Sequence, residues 1–449
     1  MKWIEGAFSF LPLANANSVC MRSPSQRTAE SIKPVDSEQK KKRPIVFLER
    51  GGVWASALNL TKATIGSGVL VLPYHTRQVG IPLMTFLLIL GAVMTHMTVL
   101  MLGRACEAAP DRGYDDIASQ LYGHWFAVFV VIAMFANCFG AAAGYVVSIG
   151  DALKWTDYQT WKLSLIISSV VLLPLACIYR INTLRYFSMI GVCGVGVLVT
   201  STIYCLCRGG LDTSIQNEKT GVVQMTQFSG VINAFSSIVF AYVCHYNVPH
   251  LYGELKEKSE KTLRSVSICS LAMSFSMYLI AGVCGYLAFG FDVKESILKE
   301  LQPYIKERDV FVIISVIGCV ASICVAHSLH VYPIRVSAEY ISSRINPNLK
   351  GSYLLTVIVG ISVVYLSLAV ALLLPSIKTI IDVVGASASS AIAFIFPPLF
   401  SIRMAKKDQS SIRSLWQEYT ILSVGIIMGS VGTFFAIEGS VTYFKNRAS

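Results

Sequence analysis

The sequence predicts an all-α integral membrane fold of eleven transmembrane helices, built as five plus five inverted repeats with one added helix. Spans 1 and 6 are expected to be discontinuous. Three observations predict this. Of 449 residues, 54% are hydrophobic and only 14% charged, against about a quarter charged in soluble domains, and the mean hydropathy is +0.59. Apolar runs of about 20 residues, each long enough to cross roughly 30 Å of hydrocarbon, recur from position 52 onward. Two of these runs carry helix-breaking residues in corresponding places.

Taken in order, residues 1–50 read as a disordered cytoplasmic tail, rich in Ser, Lys and Glu. Lys2, a short apolar patch and Ala14-Asn15-Ala16 imitate a secretory leader, but Glu5 and Pro12 interrupt the patch. Lys40, Lys41, Lys42 and Arg43 lie just ahead of the first span, where basic clusters favour the anionic cytoplasmic leaflet. The net charge of +11 therefore points to membrane topology; no basic face with interleaved aromatics suggests nucleic acid.

Apolar runs place the spans at 52–76, 80–104, 124–150, 161–179, 185–208, 229–253, 264–290, 309–334, 353–374, 377–402 and 417–442. The basic residues, the tail included, favour an inside N-terminus. Residues 51–208 form the first expected repeat, 209–402 the second, and 403–449 a cytoplasmic loop, span 11 and a short non-cytoplasmic C-terminus. Between spans 2 and 3, Ile117 and Leu121 stand at helical spacing, which predicts an interfacial helix. The small-residue pairs Gly140/Gly144 and Gly425/Gly429 suit close helix packing, within the bundle or between copies.

Span 1 holds Gly66-Ser67-Gly68, and each glycine costs about 1 kcal/mol in a helix relative to alanine. Span 6 carries His245, Tyr246 and Asn247 ahead of Pro249, and proline removes a backbone donor. An unwound helix offers free amides at the start of one half and free carbonyls at the end of the other. Amides at Gly66, Ser67 and Gly68 suit a carboxylate; carbonyls near Ala63, Thr64, Phe240 and Ala241 suit an ammonium. A zwitterion satisfies both ends, which favours an α-amino acid. A polyamine lacks the carboxylate but stays open as a cargo.

At these residues the chain resembles the amino acid/auxin permease family of the amino acid–polyamine–organocation superfamily. "NLTKATIGSGVLVLPY" is similar to the first-span signature, "FAYVCHYNVPHLYGELK" to the sixth-span segment of the sodium-coupled neutral branch, and "VYPIRVSAEYI" to a third family segment. The resemblance covers residues 50–445 and implies a LeuT-like fold moving amino acids by alternating access. It implies main-chain contacts with substrate at Thr64, Ile65, Gly66, Ser67 and Gly68, and a share from Phe240, Ala241, Tyr242 and Cys244. Asn137, Gly140 and Ser322 are expected as walls of the side-chain pocket.

Lys62 departs from the sodium-coupled pattern, where asparagine commonly stands, and matches the proton-coupled branch, so sodium coupling is not expected. A lysine near mid-bilayer costs about 2.5–3.5 kcal/mol on insertion scales and is normally functional. It reads either as a fixed cation bracing the break or as a proton carrier. His245, in the sixth-span break, is the second candidate for coupling to protons. Asp382 is the nearest acceptor for a cationic substrate side chain and reads as interfacial, which leans the cargo toward neutral amino acids.

The 12 cysteines are scattered through apolar runs without a zinc or disulfide pattern, and His327 with His330 lacks further ligands. No cofactor and no metal are expected. Neither an HExxH, a nucleophile motif nor a phosphate loop is present, so an enzyme is not expected. An amino-acid sensor signalling through the tail is the alternative of a different class. The expected partners are the amino acid, the bilayer and, with the coupling question open, protons. The membrane is a plasma membrane or one of lysosomal or vacuolar type.

Overall fold

The computed structural model describes residues 51–109, 113–156, 159–178, 181–209, 228–346, 351–374, 376–407 and 415–448. The expected tail, residues 1–50, lies outside them.

Every described segment of length is helical, as the bilayer demands of a single chain that must satisfy its own backbone groups. Among the described residues, nine helices are long and apolar enough to cross a membrane, and ten if the bent pair Val53–Thr64 and Ser67–Val79 is one span. The fourth expected span is a shorter apolar stretch, Thr160–Ala176. Its 17 residues rise about 25 Å, and a π-helical turn at Ser168–Leu172 interrupts it ahead of Pro174. Arg335 donates to the carbonyls of Ala176 and Ile178, closing its C-terminal end.

Both expected breaks are present. Span 1 stops at Thr64; Ile65 is extended and Gly66 takes φ −134°, ψ −148° before a 3-10 turn at Ser67–Val71. The two halves meet at 53°. Span 6 runs as a helix from Phe228 to Tyr242, leaves helical geometry at Val243 and Cys244, and resumes through a 3-10 turn and the helix Val248–Glu254. Pro249 sits in the first turn of that resumed helix, where its missing N–H costs nothing.

The interfacial helix forms at Tyr114–Tyr122. Ile117 is buried, and Tyr114 and Tyr122 donate to the carbonyls of Ile392 and Leu399 on span 10. Span 10 contains π-helical turns at Gly385–Ser389 and Ala391–Ile395. The glycine face of span 11 packs within the bundle: a Cβ on Gly425 would meet the Phe394 carbonyl at 2.8 Å.

Candidate functional site

The two breaks meet back to back. A Cβ on Gly68 would stand 2.8 Å from the Ala241 Cβ, so glycine there permits the approach of spans 1 and 6. Tyr278 of span 7 joins them: its hydroxyl lies 2.9 Å from the Thr64 carbonyl and 2.7 Å from that of Ala241. One hydroxyl proton serves one acceptor fully at a time, so this pair retains capacity for another donor. Tyr145 of span 3 covers the other side, with its hydroxyl 2.6 Å from where a Cβ on Gly66 would stand. Among the described residues the amides of Gly66 and Gly68 make no backbone turn or cap hydrogen bond, and the Ser67 amide meets the Tyr145 hydroxyl. The Ser67 hydroxyl is buried without a partner.

Lys62 lies one turn before the break and is 6% exposed. Its ammonium donates to Ser322 Oγ of span 8 at 3.4 Å, and Ser322 donates to the Gly191 carbonyl of span 5 at 2.7 Å. A Cβ on Gly191 would stand 2.3 Å from Lys62 Nζ. The niche between spans 1, 5 and 8 therefore exists only because residue 191 has no side chain.

Two spaces adjoin the break. A cavity of about 590 Å³ runs from Glu254, Glu339 and Asp116 up to Asn59 and Lys62, walled by Asn247 and His330. It opens on the face where span 1 begins, termed here the near face. Beyond it, a void of about 10 Å³ touches Ile65, Gly66, Tyr145, Cys319 and Ser322, which is room for about one water. Tyr246 donates to His330 Nε2 at 3.1 Å, since His330 Nδ1 is bonded to the Ala326 carbonyl at 2.9 Å. At the mouth, burial and then the neighbouring Asp116 carboxylate raise the Asp115 carboxyl above its usual range.

The structure brings together Lys62, Thr64, Ile65, Gly66, Ser67, Gly68, Ala241 and Ser322 around the break. Thr64 Oγ1 is spent on the Leu60 carbonyl, so Thr64 presents its main chain. Phe240, Tyr242 and Cys244 are buried in the sixth-span break but line neither space. Asn137 accepts from Ser389 of span 10 at 2.6 Å, and a Cβ on Gly140 would meet Val384 at 2.3 Å; both face span 10 and line neither space. His245 is fully buried, with Nε2 2.8 Å from Thr98 Oγ1 of span 2. Asp382 is 2% exposed and paired with Lys378.

Sequence reasoning missed Tyr278, Tyr145 and Gly191. A tyrosine deep in an apolar span needs a partner for its hydroxyl, and that signal pointed to Tyr278 and Tyr145. Nothing in the sequence marks Gly191 among the glycines of span 5.

Comparison with known proteins gives the family and the fold. A family model described as transmembrane amino acid transporter protein matches residues 49–442. Amino acid transporter AVT6E of Arabidopsis thaliana is 25% identical over 418 residues, covering 86% of this chain and 84% of that protein. AVT6A of the same plant is 25% identical across 88% of this chain and 89% of its own length. Vacuolar amino acid transporter 7 of Saccharomyces cerevisiae (strain ATCC 204508 / S288c) is 25% identical over 64% of this chain and 58% of its own. Among solved structures, a Na+-coupled sialic acid symporter in a substrate-bound outward-open state aligns with a TM-score of 0.57 and 12% identity. The alignment covers 85% of this chain and 89% of that one, a likeness of fold.

Proposed function

The chain belongs to the transmembrane amino acid transporter family, and from that premise we propose that it is a secondary transporter working by alternating access without sodium. Residues 51–208 and 209–402 act as its inverted repeats. The substrate's α-carboxylate is held by the amides of Gly66, Ser67 and Gly68. Its ammonium is held by the carbonyls of Thr64 and Ala241, in exchange with Tyr278. The carrying observation is the juncture of the two breaks, where Gly68 packs on Ala241 and the carbonyls of Thr64 and Ala241 share the single Tyr278 hydroxyl.

Lys62 supports the absence of sodium. Its ammonium already occupies a niche lined by Ser322 and the Gly191 backbone, and a second cation there would meet its repulsion across a low dielectric. The open near-face cavity with a water-sized void at the break corresponds to an inward-facing conformation. The near face is cytoplasmic on the basic-residue rule, and the vacuolar name of the yeast relative favours an acidic-organelle membrane over the cell surface.

Sodium-free proteoliposomes given a panel of labelled amino acids, with and without a proton gradient, test this reading. Accumulation of one or a few amino acids under the gradient establishes proton coupling, and equilibration that ignores it establishes a uniporter or exchanger. Uptake that needs sodium removes the role given to Lys62. Binding without uptake of any amino acid replaces transport by sensing.

A further inference from the structure

The near-face cavity is polar at its inner end, acidic at its mouth and apolar between. At the inner end, Lys62 is nine-tenths buried and lines the space. An ammonium has three donors, and this one spends a single donor, on Ser322 at 3.4 Å. Asn59 precedes Lys62 by three residues on the same helix, so the two share a face about 4.5 Å apart along the axis. Asn59 and Asn247 line the same space, and their side-chain amides make no hydrogen bond among the described residues.

The mouth carries the opposite charge. Asp115 and Asp116 reach it from the interfacial helix, Glu254 from the end of span 6 and Glu339 from the near-face end of span 8. Among the described residues no lysine or arginine besides Lys62 lines the cavity. Asp116 Oδ2 accepts from the Gly113 amide at 3.3 Å, and Glu339 Oε1 from the Gly351 amide at 2.6 Å. The other oxygen of each has no protein partner among the described residues. Leu60, Leu251, Leu329 and Val336 line the wall between the two ends. These carboxylates stand in loops and at span ends, so a cationic cargo needs no acid in the middle of a span.

We propose that this cavity is a binding site for a cationic amino acid, its α-carboxylate on Lys62 and Asn59 and its side-chain cation toward Asp116, Glu254 and Glu339. The inference rests on the transport reading and gives it a substrate class. Helix rise separates His330 from Glu339 by about 13 Å along span 8, and Asn247 from Glu254 by about 10 Å along span 6. An extended arginine bridges that depth from carboxylate to guanidinium. The volume of about 590 Å³ lies within the range of small-molecule sites. Lys62 stands four residues before Gly66, so the site receives the carboxylate one turn from the break. A dicarboxylic amino acid would set its second carboxylate against the mouth, and a polyamine would set a cation against Lys62. A cleft lined by one sign of charge also raises the local concentration of the opposite one.

Binding of labelled arginine, citrulline and agmatine to the purified full-length protein tests the site. Citrulline replaces the guanidinium with a neutral ureido group, and agmatine lacks the carboxylate. Arginine is expected to bind at least about tenfold more tightly than either. Asp116→Asn combined with Glu339→Gln keeps an acceptor for both backbone amides and removes two charges. This variant is expected to lower the arginine-to-citrulline ratio about fivefold, as is raising salt from about 0.02 M to about 0.5 M on wild type. A wild-type ratio near one, agmatine binding as tight as arginine, or a ratio that the folded double variant leaves unaltered overturns the site. If the double variant does not fold, a ratio indifferent to salt does so. Exchange across proteoliposomes loaded with a mixture of the common amino acids, at equal pH on both sides, separates this inference from the transport reading. Exchange of neutral amino acids without arginine overturns the cationic class and leaves transport established. Arginine binding with the expected ratios but no exchange of any amino acid removes transport and leaves the site, as that of a sensor.

Discussion

Lys62 shows how one side chain is fixed by what its neighbour lacks. Its ammonium lies where Gly191 would carry a Cβ, with Ser322 as its hydrogen-bond acceptor. Adding a methyl group at residue 191 displaces the charge without removing it, which separates position from presence. Gly191→Ala is therefore expected to lower exchange about tenfold to a hundredfold, since an ångström of misplacement near a binding centre costs on that order. Its stability cost is about 1–3 kcal/mol from overpacking. Exchange and thermal unfolding measured on the same preparation check this; unchanged exchange would remove Lys62 from the working machinery. At Asn137 and Gly140 the family resemblance suggests pocket walls, whereas their facing toward Ser389 and Val384 follows from the rotation of span 3.

At the scale of elements, the interfacial helix Tyr114–Tyr122 couples the cavity mouth to span 10. Its tyrosines donate to carbonyls at and just beyond the second π-helical turn, where the widened turn leaves backbone acceptors available. Asp115, in its first turn, is buried, and burial raises its carboxyl above the unfolded value. A carboxyl whose folded pKa is raised destabilises the folded state at pH above that pKa, and the penalty is relieved as pH falls through it. Asp115→Asn is thus expected to raise the unfolding midpoint by a few degrees at neutral pH, with the gain disappearing near pH 4, about the ordinary carboxylate range. Thermal unfolding at the two pH values reads it, and a gain that persists in acid would assign the effect to packing instead.

For the whole molecule, the spaces at the near face and at the break differ: about 590 Å³ against about 10 Å³. Hydrogen exchange should reflect that asymmetry. Residues 59–63 and 247–251, which wall the cavity, are expected to exchange faster than 69–76, and the amino acid mixture should slow the former. Equal rates in both segments would show that the resting protein is not open toward the near face.

The sequence by itself determined the membrane class, the order of the long spans and both breaks, because these rest on local chemistry. Apolar length sets a span, Gly66-Ser67-Gly68 weakens one helix, and Pro249 opens the first turn of a resumed one. Span 4 carries a π-helical turn at Ser168–Leu172 ahead of Pro174, and apolar composition does not register that. Only the tertiary structure decided which atoms meet. Tyr278 reaches Thr64 and Ala241 from a third span, Gly191 makes room for Lys62, and Asp382 is buried against Ser237 of span 6. Each of these joins residues more than a hundred positions apart or depends on the rotation of a helix about its own axis. In a span that is apolar on every face, periodicity carries almost no information about that rotation.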